Sequence, residues 1–281
     1  MSQIMYYNLD FLGLLSVNGK DAAKFLQGQC TQDISRLEPS KLTAGAFCTA
    51  KGRAVTNVWL VKPQQSDDCI YLLCHQSTAE PLTTHLKKYI PFFRGTTLSN
   101  LTGSVTLAGF DHKDAQEGAA MEPSLFTANL TDGRIITVFN GDNPDQINAL
   151  AKHPIESWHQ QDIFNKVLWL QAEQIEAFIP QNFGLDELGG ISYKKGCYTG
   201  QEVIARLHYK GQSKKQLYRL SWPQVPDKQD ANLYDDKGIA GTIVQMVNDG
   251  TQVLALAVLK NSSIDNLYAD ENRQSTVELL N

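Results

Sequence analysis

The chain contains the stretch Lys194-Lys195-Gly196-Cys197-Tyr198-Thr199-Gly200-Gln201-Glu202, in which a single thiol follows two lysines and a glycine. Thr199 and Glu202 have the spacing of a capping box, and helix-compatible residues follow, so the spacing predicts a helix capped by Thr199. A cysteine just before a helix N-terminus and beside two ammonium groups lies in positive potential, which favours an exposed nucleophile or metal ligand. The alternative is a buried structural thiol, which the polar, glycine-containing flanks disfavour.

Basic residues crowd the region that begins at this motif. Such a run is usually a solvated face, but it can also bind an RNA backbone, a polyglutamylated tail of a cofactor or an acidic protein. Gln201 and Glu202 are likewise either ordinary first-turn residues or ligand contacts at the helix start, and both interpretations stay open. The cluster within residues 194–219 consists of Lys194, Lys195, Arg206, Lys210, Lys214, Lys215 and Arg219.

Composition excludes several classes of protein. The 281 residues carry a net charge of −5, which gives no general affinity for nucleic acid or an anionic membrane. The first eight residues have neither a charged region nor a long apolar region, so we expect no targeting segment there. No apolar run approaches the roughly 20 residues that span a bilayer. The five cysteines form no Cys-x-x-Cys pair, which indicates free thiols in a reducing cytoplasm rather than disulfides or a dedicated zinc site. We therefore expect a cytoplasmic protein without a metal centre.

Hydrophobic patterns predict the main elements. Residues 54–61, 69–74 and 105–110 have strand composition, and residues 163–178 repeat apolar positions at helical spacing. Residues 238–247 and 252–259 flank Asn248-Asp249-Gly250, a sequence that favours a hairpin turn. The β-rich tail predicts a small barrel or sandwich that begins near Gln212.

Two further features could contact a ligand. The turn Lys51-Gly52-Arg53 allows close backbone approach with two cations aimed at one anion, although it could also be a plain polar turn. Trp158 could stack on a flat heterocycle, although a half-buried packing role is the commoner one for such a residue.

Four segments resemble motifs of the YgfZ-type folate-binding proteins, which are distant relatives of the glycine cleavage T-protein. They are Phe-Leu-Gln-Gly-Gln-Cys-Thr-Gln-Asp at 25–33, Cys-Thr-Ala-Lys-Gly-Arg at 48–53, residues 178–192 with Leu-Gly-Gly-Ile-Ser, and the cysteine motif itself. The likeness spans most of the chain. It implies an α+β, T-protein-like fold of three subdomains around a central folate-binding channel, with a C-terminal β-barrel. We assign residues 1–50 and 111–211 to a discontinuous folate-binding core, 51–110 to an inserted ferredoxin-like subdomain and 212–281 to the barrel.

The resemblance also implies a function. YgfZ-type proteins bind tetrahydrofolate, or its 5,10-methylene form, without established turnover. They support the assembly or repair of iron–sulfur cluster enzymes, including a tRNA methylthiotransferase, and thereby tRNA modification; mitochondrial relatives act late in iron–sulfur cluster assembly. Two alternatives stay open: a folate-dependent one-carbon transferase of the aminomethyltransferase kind, and an RNA-binding regulator that acts through the 194–219 cluster.

Site residues follow from the same resemblance. Cys197 is implied as the functional thiol, and we expect Lys195 and Glu202 to assist it. Folate contacts are expected from Trp158, Lys51, Arg53, Tyr198 and Gln201. A second family tryptophan is replaced by Leu12, beside Phe11. The paired aspartates of the T-protein match Thr56 and Asn57, neither of which can act as the catalytic carboxylate, so aminomethyl transfer by that mechanism is not expected.

Overall fold

Sixteen strands and six α-helices are assigned in the described part of the chain. The computed structural model describes residues 4–64, 66, 68–122, 124–141, 145–211, 213–226, 231–262 and 264–280, so the predicted boundary at Gln212 lies outside the described residues. The strands are β1 (Met5–Asn8), β2 (Leu12–Asn18), β3 (Thr43–Cys48), β4 (Ala54–Val61), β5 (Cys69–His75), β6 (Thr97–Asn100), β7 (Val105–Phe110), β8 (Phe126–Asn129), β9 (Ile135–Asn140), β10 (Ala151–Lys152), β11 (Lys215–Trp222), β12 (Asn232–Asp235), β13 (Gly238–Asn248), β14 (Val253–Lys260), β15 (Leu267–Tyr268) and β16 (Thr276–Leu280). The helices are α1 (Ala22–Gln27), α2 (Gln76–Lys87), α3 (Ala115–Ala119), α4 (Asp145–Asn148), α5 (Ile155–Phe164) and α6 (Gln201–Lys210).

These strands form three sheets. The first has the order β3-β4-β5-β2-β6, the second has the order β10-β1-β7-β9-β8, and the third is a closed barrel of order β11-β14-β13-β12-β15-β16. One apolar core contains buried side chains from all three sheets, such as Leu14, Ile136 and Leu256. The expected α+β architecture with a C-terminal barrel is confirmed.

The predicted strand at residues 54–61 and the predicted hairpin around Asp249-Gly250 are confirmed. All eight residues of β4 are buried, which explains its nearly continuous apolar run. The hairpin of β13 and β14 closes through Asn248, which pairs with Val253 and accepts a hydrogen bond from the Gly250 N–H at 2.9 Å. Gly250 has a φ of +87°, which the Asp-Gly sequence predicts.

The predicted helix over residues 163–178 is wrong. Helix α5 ends at Phe164, and the following residues 167–170 are all buried, which one face of a surface helix could not achieve. The Asn57 side chain holds this segment, because its amide donates to Leu168 O at 2.5 Å and its oxygen accepts from Leu170 N at 2.9 Å. These long-range hydrogen bonds satisfy backbone groups that a helix would have paired locally.

The division of the chain into subdomains stays a prediction. The predicted boundary between residues 50 and 51 falls in the connection between β3 and β4, which pair in one sheet from Thr43 with Leu60 to Cys48 with Ala54. Strand β7, which we expected in the inserted subdomain, pairs with β1 and β9 of the predicted core. Sheet pairing therefore crosses two of the expected boundaries.

Candidate functional site

Cys197 is the one exposed cysteine of the five, and all five thiols are free as expected. It lies in what we call the cysteine loop, residues 189–200, which leads into α6. The N-cap of α6 is Gly200 at a φ of +84°, so the predicted capping role of Thr199 is wrong. Thr199 instead bonds the segment around Gly28, since its N–H donates to Gly28 O at 3.2 Å and its hydroxyl donates to Gln29 Oε1 at 3.1 Å. A glycine takes the cap because a left-handed backbone disfavours other residues.

Buried Thr31 joins the start of the cysteine loop to the first sheet. Its hydroxyl donates to Gly190 O at 2.6 Å and accepts from the Ala46 N–H of β3 at 2.9 Å. Its carbonyl accepts from Ser192 N at 2.9 Å, and Gln32 donates from Nε2 to Gly189 O at 2.8 Å. The N-terminal motif therefore positions the loop by hydrogen bonds, a role that the sequence analysis did not assign.

Lys195, in the middle of the cysteine loop, is buried and anchors the loop to the N-terminal motif. Only 9% of its surface is exposed, and its ammonium donates to Cys30 O at 2.8 Å and to Gln32 O at 2.7 Å. It also lies 5.1 Å from the centroid of the Tyr198 ring, and burial lowers its pKa. Its ammonium is thus committed to backbone carbonyls, whereas neighbouring Lys194 is exposed. The expectation that Lys195 assists the thiol stays a prediction, and the structure gives it a bracing role.

The turn at Gly52 packs against the end of the cysteine loop. A Cβ at Gly200 would lie 2.6 Å from Thr49 O and 3.1 Å from Gly52 Cα, so the two backbones touch. Lys51 and Arg53 are exposed beside this contact, and Arg53 donates from Nη1 to Ala177 O at 2.8 Å. The structure therefore brings two predicted motifs together, with the glycines permitting the contact.

The remaining predicted residues of this motif divide by burial. Tyr198 is buried, its hydroxyl has no hydrogen-bond partner among the described residues, and burial raises its pKa. Gln201 accepts from Tyr198 N through Oε1 at 3.3 Å. Glu202 is exposed on the first turn of α6. Tyr198 and Gln201 thus stabilise the loop, and Glu202 is open to solvent near Cys197 in the sequence.

A cleft of about 110 Å³, which we call the central cleft, lies between the first sheet, α5 and the barrel. The first sheet contributes His75 at the end of β5, α5 contributes His159, and the barrel contributes Gln245 from β13. Its other lining residues are Phe11, Trp169, Gln171 and Met246. These residues come from distant parts of the chain, and only Phe11 among them was predicted near the ligand, as the neighbour of the replaced tryptophan.

The lining of the central cleft is aromatic and carries one unsatisfied amide. Phe11 meets His159 edge-on at 4.6 Å and Trp169 at 6.1 Å between ring centroids. Gln245 is 8% exposed; its oxygen accepts from Trp169 N at 3.3 Å, while its Nε2 has no partner within the described chain. Burial lowers the pKa of His75, against the opposing effect of Glu173, and so favours its uncharged form. The cleft is suited to a flat, polar-edged ring without a charge.

Trp158 does not line the central cleft. It is 0% exposed within α5, with the Arg134 guanidinium carbon 4.2 Å from its ring centroid. Gly109 of β7 also packs against the ring, since a Cβ there would lie 2.5 Å from it. A ligand could stack on Trp158 only if this packing opened. The tryptophan at the cleft is Trp169, which lies in the stretch that helical spacing misassigned.

Two members of the basic cluster bind backbone carbonyls of the chain itself. Lys195 is buried, and Arg219 donates from Nη1 to Phe164 O at 2.8 Å. The exposed cations are Lys194, Arg206, Lys210 and Lys214. The cations that a partner could contact therefore lie on the cysteine loop, on α6 and just before β11.

Comparison with known proteins identifies the family. No family model matches the chain. It is 31% identical to the tRNA-modifying protein YgfZ of Vibrio vulnificus (strain CMCP6), over 82% of this chain and 74% of that protein. The chain belongs to the YgfZ family. It is also 28% identical to YgfZ of Enterobacter sp. (strain 638), over 97% of this chain and 90% of that protein.

A solved structure shows the same fold as this YgfZ chain. Aminomethyltransferase T of the glycine cleavage system from Bartonella henselae superposes with a TM-score of 0.75 at 11% identity, covering 100% of this chain and 85% of that one. The positions matched to T-protein aspartates are buried and uncharged here. Thr56 donates its hydroxyl to Thr78 Oγ1 at 3.0 Å, and Asn57 holds the segment at 168–170. Asn57 therefore has a structural role in this chain.

No helix in the described ranges combines the length and the apolar character needed to cross a membrane.

Proposed function

We propose that this YgfZ chain binds a tetrahydrofolate at its central cleft and supports iron–sulfur enzymes, and thereby tRNA modification. The relatives it matches are named tRNA-modifying proteins, which supports the broader role. The observation that carries the proposal is the exposed thiol of Cys197 on a loop fixed by hydrogen bonds from distant segments. A rigidly presented, solvent-facing thiol is suited to reaching a partner protein rather than to packing.

The central cleft fits the ring end of a folate. Its aromatic walls suit a flat pterin ring, and burial disfavours the charged form of His75. Gln245 Nε2, which has no partner among the described residues, can donate to a ring acceptor. A volume of about 110 Å³ is below the roughly 300 Å³ at which ligand pockets usually begin, so the glutamate tail would extend outside. The 5,10-methylene form presents the same pterin ring. Bound folate would supply a one-carbon carrier there, held and oriented by these side chains.

Cys197 would act as a thiolate towards a partner or as one transient ligand of its cluster. Iron–sulfur clusters usually take four protein ligands, so the remaining ligands must come from a partner such as a tRNA methylthiotransferase. Exposed Lys194, Arg206 and Lys210 offer positive charge on the cysteine loop and on α6, which suits docking of an acidic protein surface or an RNA backbone. The uncharged Asn57 gives no support to the one-carbon transferase alternative.

Calorimetric titration with tetrahydrofolate tests the ligand. We expect saturable binding by the native protein and clear weakening in Phe11→Ala, which removes an aromatic wall of the cleft. Phe164→Ala is the matched control, because Phe164 is half-exposed and lies outside the cleft. No binding by the native protein, or equal weakening in both variants, contradicts the folate assignment.

Complementation tests the thiol. In a strain that lacks its own copy of the gene, Cys197→Ala should leave the fold and folate binding unchanged but abolish methylthiolated tRNA, measured by mass spectrometry of nucleosides. Because Cys197 is exposed, the substitution removes a reactive group without opening a cavity. Full restoration of tRNA modification by Cys197→Ala would remove the role that we give to this thiol.

A further inference from the structure

Three side chains of the types that bind metals meet at one edge of the second sheet. Asp111 directly follows β7, Asp114 directly precedes α3, and His153 directly follows β10. In this sheet β1 lies between β10 and β7, so the ends of β10 and β7 lie on either side of β1. Tyr6 of β1 pairs with Lys152, and Tyr7 pairs with Gly109, which places His153 and Asp111 on either side of the same strand.

The side chains converge with their polar atoms unsatisfied. One ligand atom from each of Asp111, Asp114 and His153 lies within 4.8 Å of the other two. Asp114 is only 6% exposed, and Asp111 Oδ1, Asp114 Oδ2 and His153 Nε2 are buried without a hydrogen-bond partner among the described residues. Each buried polar atom left unpaired costs about 1–3 kcal/mol, and two carboxylates so close together repel. A cation between them would remove both penalties.

We propose that Asp111, Asp114 and His153 form a site for a divalent first-row transition-metal ion. Mg²⁺ and Ca²⁺ prefer ligand sets made of oxygen, whereas an imidazole nitrogen beside two carboxylates suits ions such as Mn²⁺ and Zn²⁺. Bonds of about 2.1 Å place ligand atoms roughly 3–4 Å apart around such an ion. The ligand atoms here lie within 4.8 Å of one another, so binding requires them to approach by about 1–2 Å. Three protein ligands leave at least one position for water.

The surroundings hold the imidazole in place. The backbone N–H of His153 donates to Tyr6 O at 2.8 Å, and the imidazole ring stacks on Tyr7 at 4.7 Å between centroids with an interplanar angle of 20°. Tyr7 is itself buried in the apolar core, so the imidazole stacks on a ring that is fixed by packing. Lys113 Nζ lies 3.9 Å from Asp111 Oδ2 and is largely exposed, so an incoming ion can displace it.

The site would couple to the central cleft through α5. Pro154 joins His153 to α5, and His159 on the same helix lines the cleft. A bound ion would therefore fix the start of the helix that presents His159. The cysteine pattern gave no sign of this site, because its ligands are carboxylates and an imidazole rather than thiolates.

Titration of the metal-free full-length protein with Mn²⁺, followed by the electron paramagnetic resonance signal of the free ion, tests the site. Mn²⁺ is chosen because it prefers oxygen and nitrogen over the thiol of Cys197. We expect one ion per chain, displaced by Zn²⁺ but retained against a hundredfold excess of Mg²⁺. His153→Gln and Asp114→Asn should each weaken binding at least roughly tenfold, because even outer-shell partners of a metal contribute 10–100-fold. His112→Gln, which changes an exposed histidine next to Asp111, is the matched control and should bind as the native protein does.

Several results would overturn the proposal. They are the absence of saturable one-to-one binding, equal affinity in His153→Gln and His112→Gln, and displacement of Mn²⁺ by Mg²⁺. If the ligand variants do not fold, electron spin echo modulation of the native protein loaded with Mn²⁺ decides. One coordinated imidazole nitrogen supports the site, and none refutes it.

Discussion

Replacing Lys195 by Met tests whether its ammonium stabilises the cysteine loop or instead assists the thiol of Cys197. The substitution keeps an unbranched side chain that is one atom shorter and removes the two hydrogen bonds to Cys30 O and Gln32 O, at 2.8 and 2.7 Å. Hydrogen bonds from a charged group contribute about 1.5–3 kcal/mol each, which gives about 3–6 kcal/mol for the pair. The variant no longer desolvates an ammonium, which offsets part of this loss. We expect the free energy of unfolding to fall by about 2–3 kcal/mol.

The assay is urea unfolding followed by intrinsic fluorescence, together with hydrogen exchange of the Ser192 and Thr199 amides, which bond to Thr31 O and Gly28 O. Lys195→Met should lower the unfolding free energy and speed both exchanges. Lys194→Met is the matched control, since its lysine is exposed and its loss should change stability by less than about 0.5 kcal/mol. If the two variants are equally stable, or if Lys195→Met alters only the alkylation rate of Cys197, the bracing argument is wrong.

Three other substitutions test the local geometry. Gly200→Ala should lower the free energy of unfolding, measured in urea, by more than about 1 kcal/mol, because the residue has a φ of +84° and a Cβ would meet Thr49 O at 2.6 Å. Gly196→Ala is the control and should lower it less, because a Cβ there meets nothing within 4 Å. Asn57→Asp should destabilise the protein by about 3 kcal/mol without creating aminomethyltransferase activity, because it aims a buried carboxylate at Leu168 O; a stable, active variant would contradict this. Hydrogen bonds from the Ser35 hydroxyl and the Gln27 amide hold the pKa of Asp33 below its usual 3.8, so its stabilisation is present above that pH and is lost as the pH falls through the folded-state pKa. The stability difference between the native protein and Asp33→Asn should therefore shrink between pH 5 and pH 3; a constant difference would show that the ionised form is not favoured by folding.

Local sequence was sufficient where one short segment carries its own physical signal. The eight-residue run of β4 and the Asp249-Gly250 turn predicted a strand and a hairpin, because a continuous apolar run and a positive φ are local properties. Exposure of Cys197 followed from its polar, glycine-containing flanks in the same way. The family motifs added the overall fold, which the superposition on aminomethyltransferase T confirms.

Long-range contacts decided the rest. Residues 167–170 belong to the stretch whose apolar residues have helical spacing, but they form a buried, non-helical segment. The reason is that Asn57, more than 100 residues away, makes hydrogen bonds to the backbone of Leu168 and Leu170. Lys195 follows Lys194 in sequence, yet one ammonium is buried against carbonyls of the N-terminal motif and the other faces solvent. Neighbours in sequence do not reveal such a partner when it lies some 160 residues away.

The sequence by itself thus determined the strands, the hairpin, the exposed thiol and the family to which the chain belongs. Only the tertiary structure decided that Trp169 rather than Trp158 lines the central cleft, and that Asp111 and His153 meet across β1. The reason is physical. Secondary structure depends on spacing within a few residues, whereas a cleft or a cluster of ligands depends on which strand ends and helices are brought together when three sheets share one core.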